Sequence, residues 1–354
     1  EKRYPNNLKS VKQSLFSAIE SRDHVSFAKI IDTQIHVTMC SGRKIIQKVF
    51  MKACLAGDIN IVRFLLRKGA DVNEASSDDI TPLMAAVLSN SFDTVEFLLE
   101  CRATVKTLIK PTQDSVLHMA LKRGFRHSNA IGSEKWDPKF FIDIKIIKLL
   151  IDNGASVNQK CADGYPPLSL AASSNRDAVI THLIKKGADV NGVDSKYGMT
   201  PLMFAAIAGN VYIVRQLLKY NADLDITDKW DYTAIMLSVQ FKKYLVVLAL
   251  IEEGADVNKA SGFDGKSALI LAAESNCCYT INILLEIGAD VNYRKPIHKR
   301  GTTALMIAAQ NGFKEAVDSL LYYNADVDLR DEDGKTAVCL CSDDEIVEII
   351  NMSQ

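Results

Sequence analysis

A short phrase returns through this chain at a nearly fixed interval, and that interval limits the fold more than any other feature. "GADVN" stands at 69–73, 187–191, 254–258 and 288–292, with variants "GASVN" at 154–158, "NADLD" at 221–225 and "NADVD" at 324–328. From Gly154 onward the steps are 33, 34, 33, 34 and 36 residues. A second phrase keeps step with it: "TPLMAAV" from Thr81, "TPLMFAA" from Thr200, "SALILAA" from Ser267 and "TALMIAA" from Thr303. "PPLSLAA" from Pro166 and "TAIMLSV" from Thr233 are cousins of it. Self-similarity on this scale calls for stacked supersecondary units, each stable only against its neighbours.

One unit shows why. In "TPLMFAAIAGNVYIVRQLLKYNADLD", Thr200 is a good helix N-cap, and Pro201 suits the first helical position, where its missing N–H is no loss. Leu202, Ala205 and Ala206 make an apolar face, and Gly209 ends the short helix. Ile213, Val214, Leu217 and Leu218 have the spacing of a second amphipathic helix. It closes at Asn221 where other repeats carry Gly, consistent with a left-handed position that favours Gly first and Asn next.

These two phrases, in register over most of the chain, resemble those of the ankyrin-repeat family. The resemblance implies an all-α repeat solenoid: an ankyrin-type, right-angled and curved stack of about ten helix-turn-helix repeats, with β-hairpin fingers projecting between them. A single domain over 1–354 is expected, with repeats at 11–40, 46–75, 79–108, 113–160, 164–193, 198–227, 231–260, 265–294, 301–330 and 334–354. Two departures stand out. Arg102 occupies a glycine position in "ECRATVK", so that turn is expected to be strained or remodelled. The fourth repeat is interrupted by 124–143, a segment mixing Gly124, Gly132, Asp137 and Pro138 with Phe125, Trp136, Phe140 and Phe141. It reads either as a surface loop or as a partner-contacting one.

Composition narrows the function classes. The formal charge of −1 gives no whole-chain reason to expect nucleic acid or an anionic membrane, and no apolar run reaches membrane-spanning length. The chain begins with Glu1 and reads as a fragment of something longer. Eight cysteines, at 40, 54, 101, 161, 277, 278, 339 and 341, have no zinc-site spacing. Cys54, Cys277 and Cys339 fall inside apolar helical pattern, as small hydrophobes do. Reduced thiols point to a cytoplasmic address, the nucleus and the cytosolic face of a membrane protein being further settings. Six dispersed histidines include His118 at a family position for a structural imidazole. No nucleophile elbow or phosphate-cradling loop occurs, so neither an enzyme nor a cofactor or metal is expected.

What remains is binding. Aligning repeats on the Thr position puts Trp230 at a finger tip and Tyr232 just before a first helix, where the family presents side chains to its groove. Tyr165, Tyr197, Met199, Ile207, Trp230, Tyr232, Phe241 and Phe263 fall at such positions between repeats five and eight. They are expected to be surplus to stacking and to hold a protein or peptide segment of roughly 5–15 residues, most of them being types enriched at binding hot spots. Secondary contacts are expected from Trp136, Lys122, Arg123, Arg294, Lys299 and Arg300. The role is that of a scaffold or adaptor module. The alternative is a regulatory domain of a larger enzyme or channel that senses a small anionic ligand such as a nucleotide. The resemblance also implies a modification: asparaginyl hydroxylation at Asn73, Asn191, Asn258 and Asn292, each with a leucine eight residues before it (Leu65, Leu183, Leu250, Leu284).

Overall fold

The computed structural model describes residues 5–34, 42–110, 112–122, 142–296 and 300–353. They contain twenty helices in ten consecutive pairs. The chain divides into two compact units, Glu1–Leu170 with Lys185–Ala188, and Ala171–Ile184 with Asp189–Gln354.

The first unit contains α1 (Pro5–Glu20), α2 (His24–Gln34), α3 (Gly42–Ala56), α4 (Ile59–Arg67), α5 (Pro82–Ser89), α6 (Phe92–Glu100), α7 (Val116–Lys122) and α8 (Ile144–Asp152). Odd-numbered helices stack on one another (α1 on α3, α3 on α5, α5 on α7), and α4, α6 and α8 form a second row. Helices α9 (Pro167–Ser173) and α10 (Asp177–Lys185) have residues in both units. The second unit contains α11 (Pro201–Ala208), α12 (Val211–Lys219), α13 (Ala234–Gln240), α14 (Tyr244–Glu252), α15 (Ala268–Glu274), α16 (Cys278–Glu286), α17 (Ala304–Gln310), α18 (Lys314–Tyr322), α19 (Ala337–Leu340) and α20 (Asp344–Met352). The same double row recurs there, α11 to α19 in one file and α12 to α20 in the other. Between the files lie fully buried leucines, among them Leu217, Leu250 and Leu284.

Local chemistry sets each helix. Thr81, Thr200 and Thr303 sit in extended backbone, and their hydroxyls accept the N–H of Met84, Met203 and Met306. The methionine sulfur returns the favour, accepting the threonine N–H at 3.4–3.5 Å. This is a reciprocal cap with sulfur in place of the usual carboxylate. Gly209 ends α11 at φ +79°, and Asn221 follows α12 at φ +61°.

One expectation is narrowed and two are corrected. The turn at Arg102 is strained but not remodelled: Arg102 adopts φ +64°, and the N–H of Ala103 reaches Leu98 as that of Ala70 reaches Leu65 beside Gly69. Its backbone bears the cost, about 1 kcal/mol for a side chain in the left-handed region. The fingers are β-hairpins only in part. Among the described residues, paired strands occur at β1 (Leu108–Ile109) and β2 (Asp114–Ser115), with an isolated bridge between Ala260 and Ser267. Elsewhere a tight turn closed by one backbone bond is enough, as from Asp228 N to Tyr232 O, 3.0 Å. Of the three cysteines read as small hydrophobes, Cys54 is buried, Cys277 precedes α16 with its sulfur 3.0 Å from the Thr280 hydroxyl, and Cys339 lies exposed on the four-residue α19.

Candidate functional site

Three successive finger turns of the second unit are built on one device. At the base of each of these, an Asp or Ser side chain accepts the N–H groups of residues further round the turn. Asp194 takes Lys196 and Tyr197 on Oδ1 (2.8 and 2.7 Å) and Met199 on Oδ2 (2.7 Å). Asp228 takes Trp230 and Tyr232 on Oδ1, both at 2.9 Å. The Ser261 hydroxyl accepts from Phe263 and Asp264. Successive fingers are then tied together. Lys229 N donates to Tyr197 O (2.9 Å), and Ser261 Oγ donates to Trp230 O (2.7 Å). The aromatic positions thus stand on a bonded lattice of turns.

On that lattice the expected contact residues separate into two groups. Tyr197 and Trp230 are half-buried and lean on each other, ring centroids 6.0 Å apart at 31°. Phe263, on the next finger, is 57 % exposed. Phe241 is half-buried at the end of α13. By contrast Met199 (2 % exposed), Ile207 (8 %) and Tyr232 (8 %) are buried, which corrects the expectation that their side chains are surplus to the stack. Tyr232 shows the reason: its hydroxyl donates to Asp264 Oδ2 at 2.6 Å, fastening one finger to the next. Burial, then the charges of Asp264 and Glu274, push that phenol far above its ordinary pKa.

A polar ladder continues from there, and it is a feature that apolar pattern could not reveal. Lys266 Nζ lies 2.7 Å from Glu274 and 3.6 Å from Asp264, and Lys295 Nζ reaches Glu274 at 3.4 Å. Asp264 is partly buried, which alone would raise its pKa. The hydroxyl of Tyr232, the Lys266 N–H and the Lys266 charge outweigh this and hold it below the carboxylate norm.

The other expected residues lie apart. Tyr165 belongs to the first unit, where its carbonyl accepts from Cys161 N and lies 3.3 Å from His118 Nε2. Lys122, in the same unit, is committed to Asp114 (2.8 Å) and Asp163 (3.2 Å). Trp136, Arg123 and Lys299 fall outside the described residues. Arg294 donates to the carbonyls of Gly301 and Arg330, while Arg300 is exposed at φ +77°. The asparagines of the repeat phrase are joints. The Oδ1 atoms of Asn73, Asn191, Asn258 and Asn292 accept N–H groups of Thr104, Asp223, Asp290 and Asp326 in the following repeat, at 2.8–2.9 Å. Leu65, Leu183, Leu250 and Leu284, which precede them, are fully buried.

The sequence reading overlooked one surface. Tyr212, Tyr244, Leu245 and Tyr279, on the second helices α12, α14 and α16, are each half or more exposed, and Tyr244 meets Tyr279 edge-on at 5.8 Å. The signal was present in α14 itself, "YLVVLALIE", which is apolar all round rather than along one stripe. Among the described residues no cluster of His, Cys, Asp and Glu could hold a metal ion, and no helix is long and apolar enough to cross a membrane.

Comparison with known proteins agrees with the architecture. A family model described as ankyrin repeats (3 copies) matches residues 15–110, 50–131, 140–228, 179–261, 221–295 and 269–352. The ankyrin repeat and KH domain-containing protein mask-1 of Caenorhabditis elegans is 28 % identical over 287 residues, 80 % of this chain and 10 % of that protein. The palmitoyltransferase AKR1 of Lachancea kluyveri is 29 % identical over 208 residues, 57 % of this chain and 28 % of that protein. The crystal structure of the ankyrin repeat domain of Bcl-3 matches with a TM-score of 0.53 at 25 % identity, covering 58 % of this chain and 92 % of that one. The chain therefore spans only a minor part of the length of those two curated relatives.

Proposed function

This chain belongs to the ankyrin-repeat family, and from that premise we propose that it is a non-catalytic binding module, the scaffold or adaptor part of a larger protein. Ankyrin repeats generally mediate protein–protein interaction. The partner is a peptide or protein segment laid along the fingers of the second unit, against Tyr197, Trp230, Phe263 and Phe241. One observation carries this reading: large apolar side chains are held at the surface on turns that are braced by their own Asp or Ser side chains and tied to the neighbouring fingers. Rigidly mounted, partly exposed aromatics are what a hot spot requires, because little freedom is lost when they are covered.

The test separates binding from stability. Replacing Trp230 by Ala should weaken the partner by roughly 2 kcal/mol or more. Losing its contact with Tyr197 should cost the fold at most about 1 kcal/mol in a denaturant titration. Equal losses in both measurements would make Trp230 a structural residue and remove the reading. The nucleotide-sensing alternative predicts salt-sensitive heat on titrating nucleotides into the protein. Arg294 supports it little, since its guanidinium is committed to backbone carbonyls. Palmitoyl transfer belongs to the relative AKR1 as a whole protein, and of that protein this chain spans 28 %.

A further inference from the structure

The exposed surface on the second helices follows the repeat. Tyr212, Leu245 and Tyr279 are each the second residue of their helix, α12, α14 and α16, so they form one row across three neighbouring repeats. Elsewhere that position mostly suits water: Asn60 on α4, Asp93 on α6, Lys145 on α8, Glu315 on α18 and Glu345 on α20. Tyr244 broadens the row, its ring edge-on to Tyr279 at 5.8 Å. All four side chains are half or more exposed, together roughly 400 Å² of surface. A contiguous patch of that size marks an interaction site.

Charge is distributed along α14, not across it. Lys242 and Lys243 stand before its first residue, Glu252 ends it and Glu253 caps it. Lys242, Glu252 and Glu253 are exposed. Glu252 holds Arg215 of α12 at 2.5 Å, whereas Lys242 and Glu253 have no ion pair among the described residues. The last residue of α16 is likewise an exposed acid, Glu286. Around Leu245, the N-terminal edge of the row is therefore cationic and the C-terminal edge acidic.

We propose that this face binds a second copy of the chain, face to face, about a two-fold axis lying along the row. It does not rest on the function proposed above. Such a contact is isologous: Tyr212, Leu245 and Tyr279 of each copy pack on the same residues of the other. The helices of the two copies run antiparallel across it. Glu252 lies seven residues, about 10 Å, along α14 from Leu245. Lys242 of the other copy extends the same way from the axis, and its four-carbon stem covers the remaining distance. Lysine then meets glutamate twice, once on each side of the axis, and Glu286 comes toward the positive N-terminal end of the other copy's α16. A two-fold axis along the helices would instead set lysine on lysine and glutamate on glutamate, so charge selects the first arrangement. A stable dimer covers about 800 Å² per partner around an apolar core. The row supplies about half of that, and the flanking charges form the rim.

Sedimentation equilibrium of the whole chain should show monomer and dimer exchanging with a micromolar Kd. Leu245→Glu, which sets two like charges face to face, should weaken the dimer about a hundredfold. Its thermal midpoint should stay near that of the wild type, because the position is exposed. Lys242→Glu should weaken the dimer about threefold, and adding Glu253→Lys should restore it, a rescue that a purely structural role of either residue does not give. Leu245→Cys, meeting itself at the axis, should cross-link under mild oxidation, with the wild type and its own thiols as control. Trp230→Ala should leave the dimer unchanged, so self-association and binding along the fingers stand or fall separately. A chain that stays monomeric throughout the micromolar range would leave this face to some other partner and overturn the proposal. So would a dimer that Leu245→Glu leaves intact. A dimer lost on Lys242→Glu and not recovered with Glu253→Lys would overturn the antiparallel arrangement.

Discussion

His118 stands where other repeats carry Met84, Met203 and Met306, and it performs the same task with nitrogen. Its Nδ1 accepts the N–H of Ser115 at 3.2 Å, with the Ser115 hydroxyl at 2.8 Å, so Nε2 carries the proton and donates to Tyr165 O at 3.3 Å. A second proton on Nδ1 would face the Ser115 N–H. Burial already holds this imidazole below its ordinary pKa, against the pull of Asp114. The unfolded chain therefore takes up the proton first. Stability from this site is complete above about pH 6.5 and declines as pH falls from there through the depressed folded value. Replacing His118 by Met, the residue at this place in the repeats of Met84, Met203 and Met306, should flatten that decline in denaturant titrations between about pH 5 and 7. An unchanged slope would show that another group carries it. The role of His118 could be read in the sequence because a backbone N–H fixes it. The burial of Tyr232 could not, because its partner Asp264 lies a full repeat away and only the stacked fingers bring them together.

At the scale of elements, the helix pairs were legible and the surfaces between them were not. Thr at the cap, Pro at the first helical position and Gly or Asn after the second helix each answer a backbone requirement, so they recur and can be counted. Arg102 holds that same left-handed position without the residue it favours, because buried Leu98 before it and buried Ala103 and Val105 after it fix the turn whatever occupies its corner. The asparagine joints span two repeats, which no single repeat phrase discloses. In the structure Asn258 accepts Asp290 N at 2.8 Å and donates to Gly288 O at 3.1 Å, linking two repeats. Asn258→Ala should therefore cost about 1–2 kcal/mol, more than an exposed loop position would. A loss within about 0.5 kcal/mol in urea titration would mean that water replaces both bonds without penalty. The exposed face of α14 is hard to read for a plainer reason: "YLVVLALIE" shows its anomaly only against the other second helices.

At the scale of the molecule, within each compact unit a helix pair touches mainly the pairs before and after it, so damage should remain close to where it is made. Leu217 is fully buried in α12, and Leu217→Ala should cost roughly 2–5 kcal/mol. Hydrogen exchange should then show protection lost from α11 to α14, while α3 to α6, in the other compact unit, keep theirs. Uniform loss across both sets would mean that the array melts as one body. The joints also bear on how such a chain can change in length. Asn258 and Asn292 present the same oxygen to the same N–H of the following unit, an aspartate each time. If the stretch between them were excised, Asn258 would meet Asp326 as Asn292 now does. A gene encoding such couplings can gain or shed whole repeats by unequal recombination, and each product inherits working connections at its seam.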